Sequence, residues 1–277
     1  MNTYTCHTKK ILFYTAAAAI ICIVVFPVYW LVTMSFKTPL EIILYNPTLY
    51  PHSPVLANYI SIFRTAFLQN LFNSIFITAC SACIAVCLGT GAAYALARHN
   101  FPFMFGSAFL IVVLIVKILP PIILGIPLYT MLSAFHLVNH LTALILTYQI
   151  YLLPYCIWMI FGFFKSLPPA FEDAAMIDGA SRWYTFTRIA VPLCKPGITA
   201  AAVFSSITAW DEFLFAMLFL HSPEKQTLPA VVAGYIGEYE TEWGQLAAAG
   251  ILACIPLLCL INFVYRYYTE SFSPDLK

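Results

Sequence analysis

The 277-residue sequence is 62% hydrophobic and only 9% charged, with a net charge of +1. Soluble domains carry roughly 45–50% apolar residues, so lipid must be the solvent for much of this chain, and a freely soluble enzyme or binding module is excluded. The near-neutral balance gives no reason to expect a nucleic-acid partner or an acidic substrate.

Crossing the hydrocarbon takes about 20 apolar residues per helix, and six stretches qualify, at about 11–36, 71–97, 103–125, 141–163, 197–220 and 246–267. The first follows Lys9 and Lys10. It is too long for a secretory h-region and lacks a small-residue cleavage site, so it reads as a retained span. A loop at about 37–70, punctuated by Pro39, Pro47, Pro51 and Pro54, leads to the second span. There Cys80, Cys83 and Cys87 share one helical face. With no His or acid beside them they read as small apolar packing residues, so no metal site is expected.

The third span holds Lys117, the one cation deep in a span, just before Leu119-Pro120-Pro121; the fourth contributes Tyr148, Gln149 and Pro154. In the fifth, Trp210-Asp211-Glu212-Phe213 lies toward its outer end, and the sixth carries Pro256 and Asn262. A charged group at the bilayer centre costs at least about 2.5–3.5 kcal/mol. Lys117, Tyr148, Gln149, Trp210, Asp211, Glu212, Phe213 and Asn262 are therefore the candidates for a pathway or gate. Pairing of Lys117 with Asp211 or Glu212 is the expected structural alternative, and Asp211 and Glu212, about 100° apart on a helix, cannot both face one pore. The six His residues sit almost wholly in loops or near the N-terminus, which speaks against an intramembrane enzyme.

Lys and Arg counted in the connections fix the orientation. Of thirteen, nine (Lys9, Lys10, Arg98, Lys165, Arg182, Arg188, Lys195, Arg266, Lys277) lie on the side of the N-terminus, three on the other, and Lys117 within a span. Both termini and the 163–196 loop are thus expected in the cytoplasm.

That loop is the most informative segment. Ser166 is placed to cap a helix, and Pro168-Pro169 suit its first turn. Glu172 and Asp173 complement the positive helix end, and Gly179 offers a left-handed stop. A second short helix is expected from Ser181 to Ala190, before Val191-Pro192. Helical connectors are common, so composition alone leaves an amphipathic linker equally open. The full spacing, Asp173-Ala174-Ala175, Asp178-Gly179, then Ile189 and Pro192, tips the balance.

With these residues the chain resembles the maltose-type (type I) carbohydrate ABC importer permeases, inner-membrane subunits with an EAA docking loop. The similarity extends through Ser35-Phe36-Lys37, Asn58-Tyr59, Asn73-Ser74, Ala92-Ala93-Tyr94-Ala95-Leu96-Ala97-Arg98, Ile126-Pro127-Leu128-Tyr129, the Trp210–Phe213 stretch and Thr227-Leu228-Pro229. Asp173 stands where the family usually has Glu, Val191 where it has Leu, and Asp211 where it has Asn. The tail Ser271-Phe272-Ser273-Pro274-Asp275-Leu276-Lys277 departs from the usual Gly-Thr-Gly-Ala-Val-Lys-like end.

The resemblance implies an all-α integral membrane fold: six transmembrane helices in one permease domain over 1–277, with a cytoplasmic coupling helix. It implies docking of Glu172, Asp173, Ala174, Ala175, Asp178, Gly179, Ile189 and Pro192 on two cytosolic ATPase subunits, which would hold the ATP and Mg; this chain would bind no cofactor and catalyse nothing. A second homologous permease, expected as a heterodimer partner, an extracytoplasmic solute-binding protein and a carbohydrate or related polar solute complete the expectation, in the inner membrane of a prokaryote. The rival is an ion-coupled secondary transporter using Asp211, Glu212 or Lys117 without ATPase partners.

Overall fold

A computed structural model of the chain describes residues 3–43, 47–99, 105–118, 120–237 and 241–272. In chain order the helices begin with α1 (Thr3–Ser35), α2 (Pro39–Ile43), α3 (Ala57–Phe63), α4 (Phe67–Arg98) and α5 (Phe105–Ile118). Next come α6 (Pro121–Ala134), α7 (Leu141–Ser166), α8 (Ala170–Ile177), α9 (Arg182–Thr185) and α10 (Val191–Leu193). The series ends with α11 (Lys195–Trp210), α12 (Leu214–Phe219), α13 (Leu228–Gly234) and α14 (Trp243–Phe272). Among the described residues the β pairing is a single antiparallel bridge, Ile236 to Thr241. The all-α membrane fold holds.

Among the described residues four segments are continuous and apolar enough to cross a bilayer: Leu12–Ser35, Phe67–Arg98, Leu141–Ser166 and Trp243–Asn262. The expected third and fifth spans are not single helices, and local chemistry explains both breaks. Pro120 sits between α5 and α6 with ψ 128°, because the ring of Pro121 drives the preceding residue out of the helical region. Pro27, Pro154 and Pro256 lie inside helices instead. The fifth stretch stops at Trp210 and resumes at Leu214. There a side-chain carboxylate replaces the lost turn, since Glu212 Oε1 accepts the Phe215 N–H at 2.9 Å. The atypical tail beyond Phe272 and the side chain of Lys117, with its expected pairing, lie outside the described residues.

The chain divides into two compact units. One comprises Met1–Phe67 and Val232–Ile255. Its loop after α1 is held by buried polar groups: Asn58 Nδ2 donates to the carbonyls of Ser35 (2.8 Å) and Lys37 (3.1 Å), and the Ser35 and Tyr59 hydroxyls meet at 2.8 Å. The Lys37 ammonium lies 4.8 Å from the Trp30 ring centre and donates to the Thr48 carbonyl. Glu41 Oε1 accepts from the His52 N–H at 2.8 Å and the Thr48 hydroxyl at 3.2 Å. Two fragments of the resemblance, Ser35–Lys37 and Asn58-Tyr59, are therefore one construction in space.

The other unit comprises Leu68–Val231 and Pro256–Lys277, and α7 is its axis. Tyr148, Leu152, Cys156, Ile160 and Phe164 recur every fourth residue and are all at most 1% exposed, a single stripe facing the core. Small residues let neighbouring helices approach that stripe. The Cys156 thiol meets the Ser205 hydroxyl of α11 at 3.0 Å, and a Cβ at Gly89 of α4 would stand 2.7 Å from that of Cys156. At the α6–α7 turn Asn139 takes φ 64°, a left-handed setting that Asn tolerates. Its Oδ1 accepts from the N–H groups of His221 and Ser222, both at 3.1 Å, and its carbonyl accepts from Lys225 Nζ at 2.8 Å. Asn73 and Ser74 fix the same connection: Asn73 Nδ2 donates to the Glu224 carbonyl, and Ser74 Oγ accepts the Leu228 N–H at 2.7 Å.

Candidate functional site

The segment between α7 and α11 folds as a helix, a tight turn and a second, irregular helix. Its first helix, α8, begins after Pro169 without a side-chain cap. Ser166 does not cap it; its hydroxyl donates back to the Phe163 carbonyl at 2.9 Å and so belongs to the end of α7. The C-terminal stop is a Schellman arrangement. Gly179 has φ +89°, its N–H donates to the Met176 carbonyl at 3.1 Å, and the Ala180 N–H reaches the Ala175 carbonyl at 2.9 Å. Ser181 then caps α9, accepting from the Tyr184 N–H at 3.2 Å. The second arm widens into a π turn over Phe186–Ala190 before Val191–Leu193. It meets α11 at a bend of 74°.

The residues singled out from the sequence divide by exposure. Asp173, Ala174, Asp178, Gly179 and Pro192 are exposed, and Ala175 and Ile189 are half-buried. Around them stand apolar side chains that sequence reading passed over, including Phe171, Ile177, Trp183 and Tyr184, the last two 73% and 55% exposed. Large apolar side chains left exposed on a segment between spans are candidates for a protein interface. Glu172 behaves differently from its neighbour. It is buried, its Oε2 accepts from the Tyr94 hydroxyl at 2.7 Å, and its Oε1 pairs with Arg98 Nε at 2.7 Å. Arg98 Nη2 also donates to the Leu167 carbonyl at 3.0 Å. Beside this clip opens a cleft of about 500 Å³ walled by Tyr94, Arg98, His99, Glu172, Asp173 and Arg182. Tyr94 and Arg98 lie in the Ala92–Arg98 motif, whose resemblance alone does not reveal their part in the site. Their i, i+4 spacing, which puts both on one helix face, was the available signal.

Inside the bundle the polar candidates also separate. Tyr148 donates from its hydroxyl to Glu212 Oε2 at 2.8 Å, so both oxygens of Glu212 are occupied by Tyr148 and the first turn of α12. Gln149 Nε2 donates to the Ser81 carbonyl at 3.2 Å and the Ile145 carbonyl at 2.9 Å. Trp210 is buried, whereas Asp211, Phe213 and Asn262 are exposed. The two adjacent acids do point to different surroundings.

Comparison with known proteins gives a consistent picture. Residues 85–274 match the family model described as binding-protein-dependent transport system inner membrane component. A permease protein of a sulfoquinovosyl glycerol transport system from Agrobacterium fabrum is 37% identical over 91% of this chain and 88% of its own length. A trehalose transport system permease protein from Mycobacterium tuberculosis is 34% identical, covering 87% of each. Among solved structures, a bacterial ABC transporter that imports the acidic polysaccharide alginate superposes with a TM-score of 0.75 at 17% identity, over 97% of this chain and 99% of that one. At that identity the likeness is one of fold.

Proposed function

The chain belongs to the binding-protein-dependent transport system inner membrane components, and on that footing we propose that it forms half of a solute pathway worked from the cytoplasm through the 170–193 segment. It is a multi-pass permease subunit of an ABC importer. ATP is used by ATPase partners, and a solute-binding protein belongs to the same assembly.

Residues 1–277 act as one permease domain with both termini in the cytoplasm of a prokaryotic cell, and a second, related permease completes the pathway as a heterodimer. Each of two ATPase subunits receives a docking segment; on this chain its contact surface is Asp173, Ala174, Ala175, Asp178, Gly179, Ile189 and Pro192, with the exposed aromatics around them. The cleft beside Asp173 leaves room for a partner side chain. Closure of the ATPase pair displaces the docking segment and swings the bundle between inward- and outward-open states.

The solute is a carbohydrate or a close polar relative, by analogy with the sulfoquinovosyl glycerol and trehalose systems. Asp211, Phe213 and Asn262 are proposed to meet the pathway, along with Lys117. Trp210, Tyr148, Gln149 and Glu212 shape it from behind.

One observation carries the docking assignment: a rigidly capped helix–turn–helix bearing exposed apolar side chains. A cysteine at Ala175 tests it. Cross-linking to an ATPase subunit in the purified importer supports the assignment, and labelling by small thiol reagents alone, with or without ATPase, removes it.

A further inference from the structure

We propose that Glu172, Tyr94 and Arg98 are a mechanical joint, carrying the movement of the docking segment into α4, so that the two adjacent acids divide the work. Asp173 faces the ATPase; Glu172 faces the bundle. The inference rests on the docking reading above.

Neighbouring residues on a helix point about 100° apart, so Glu172 and Asp173 cannot serve one surface. Glu172 is 5% exposed and Asp173 is exposed. Both oxygens of Glu172 are engaged within the chain at 2.7 Å, the short separation of charge-assisted bonds, and these internal bonds tie the carboxylate to α4. Arg98 is forked between the Glu172 carboxylate and the Leu167 carbonyl, and a planar guanidinium held along two directions resists rotation. Tyr94 adds a third hold. Its ring lies 5.3 Å from Phe164 at the end of α7 and 4.7 Å from Phe186 in the π turn. The last turns of α4 thus grip α8, the irregular second arm and the end of α7 together. A force applied to α8 has a direct route through this grip into α4, besides the longer one along α7 to its contact with Gly89.

Glu172, Tyr94 and Arg98 are positioning residues, and a passive staple would stabilise the protein without setting how much transport each ATP yields. The test is made on the complete importer in vesicles, reading ATPase retention on purification, ATP hydrolysis and solute uptake per ATP. Glu172→Gln keeps the ATPase within about twofold of the wild type and hydrolyses ATP, but uptake per ATP falls about tenfold. Tyr94→Phe, which removes one bond and keeps the ring, lowers the ratio about threefold. Reversing the pair, Glu172→Arg with Arg98→Glu, recovers part of the ratio that either single reversal loses. Asp173→Asn instead loses ATPase. The proposal is overturned if Glu172→Gln sheds ATPase as readily as Asp173→Asn, or if uptake per ATP is unchanged in both Glu172→Gln and Tyr94→Phe. A wild-type importer that retains no ATPase would instead overturn the docking reading itself.

Discussion

Gly179 shows what a single residue contributes. Its φ of +89° is costly for any side chain, while a Cβ there would meet nothing within 4 Å, so a substitution acts through the backbone alone. A β-branched residue at such a position costs about 1–3 kcal/mol, and Asn tolerates it better. Gly179→Val should therefore unravel the stop of α8 and abolish most uptake while the protein still inserts; Gly179→Asn should retain most of it. Uptake assays on membranes with matched protein levels decide this.

Glu41 makes a pH argument. The His52 N–H, more than any other group, holds its carboxyl below the ordinary glutamate value. A depressed folded value means its contribution is complete above the unfolded value and is lost as pH falls through the lowered one. Protease resistance of the loop after α1 should accordingly decline at acidic pH, and Glu41→Gln should flatten that decline.

At the scale of elements, the contacts that define the bundle are close approaches and caps. Gly197 opens α11 against α7, where an added Cβ would lie 2.3 Å from ring carbons of Phe163. Gly197→Ala should destabilise by about 1–3 kcal/mol, the usual cost of overpacking. Combining it with Phe163→Ala should cost less than the sum of the single changes, as read from thermal unfolding in detergent. Glu212 holds the break between α11 and α12. Glu212→Ala leaves the Tyr148 hydroxyl and the α12 N–H without their acceptor, a loss of about 1–3 kcal/mol, while Glu212→Gln keeps an acceptor and should be milder.

The legibility of these elements in the sequence followed the range of the forces. Apolar length located the four continuous spans found among the described residues, and the Gly179 stop was readable because it is local chemistry. The break at Pro120-Pro121 is legible from the prolines themselves, whereas the one after Trp210 is not, since hydropathy runs through it. The division between Glu172 and Asp173 was hidden for a different reason. It depends on Tyr94 and Arg98, more than seventy residues earlier, and a long-range pair leaves no periodicity behind.

For the whole molecule, the chain is a permease subunit rather than a catalyst. Its charges are few. Two of them, Glu172 and Arg98, stand where the 170–193 segment joins the bundle, and Glu212 stands at a helix break. The central claim is that movement enters from ATPase partners through the docking segment. Its most direct test is solute uptake into vesicles holding the purified importer, with ATP or an imposed proton gradient as alternative energy sources. The account predicts uptake that needs ATP and the ATPase subunits and disappears in Gly179→Val. Uptake by this chain alone, driven by the gradient without ATP, would contradict it.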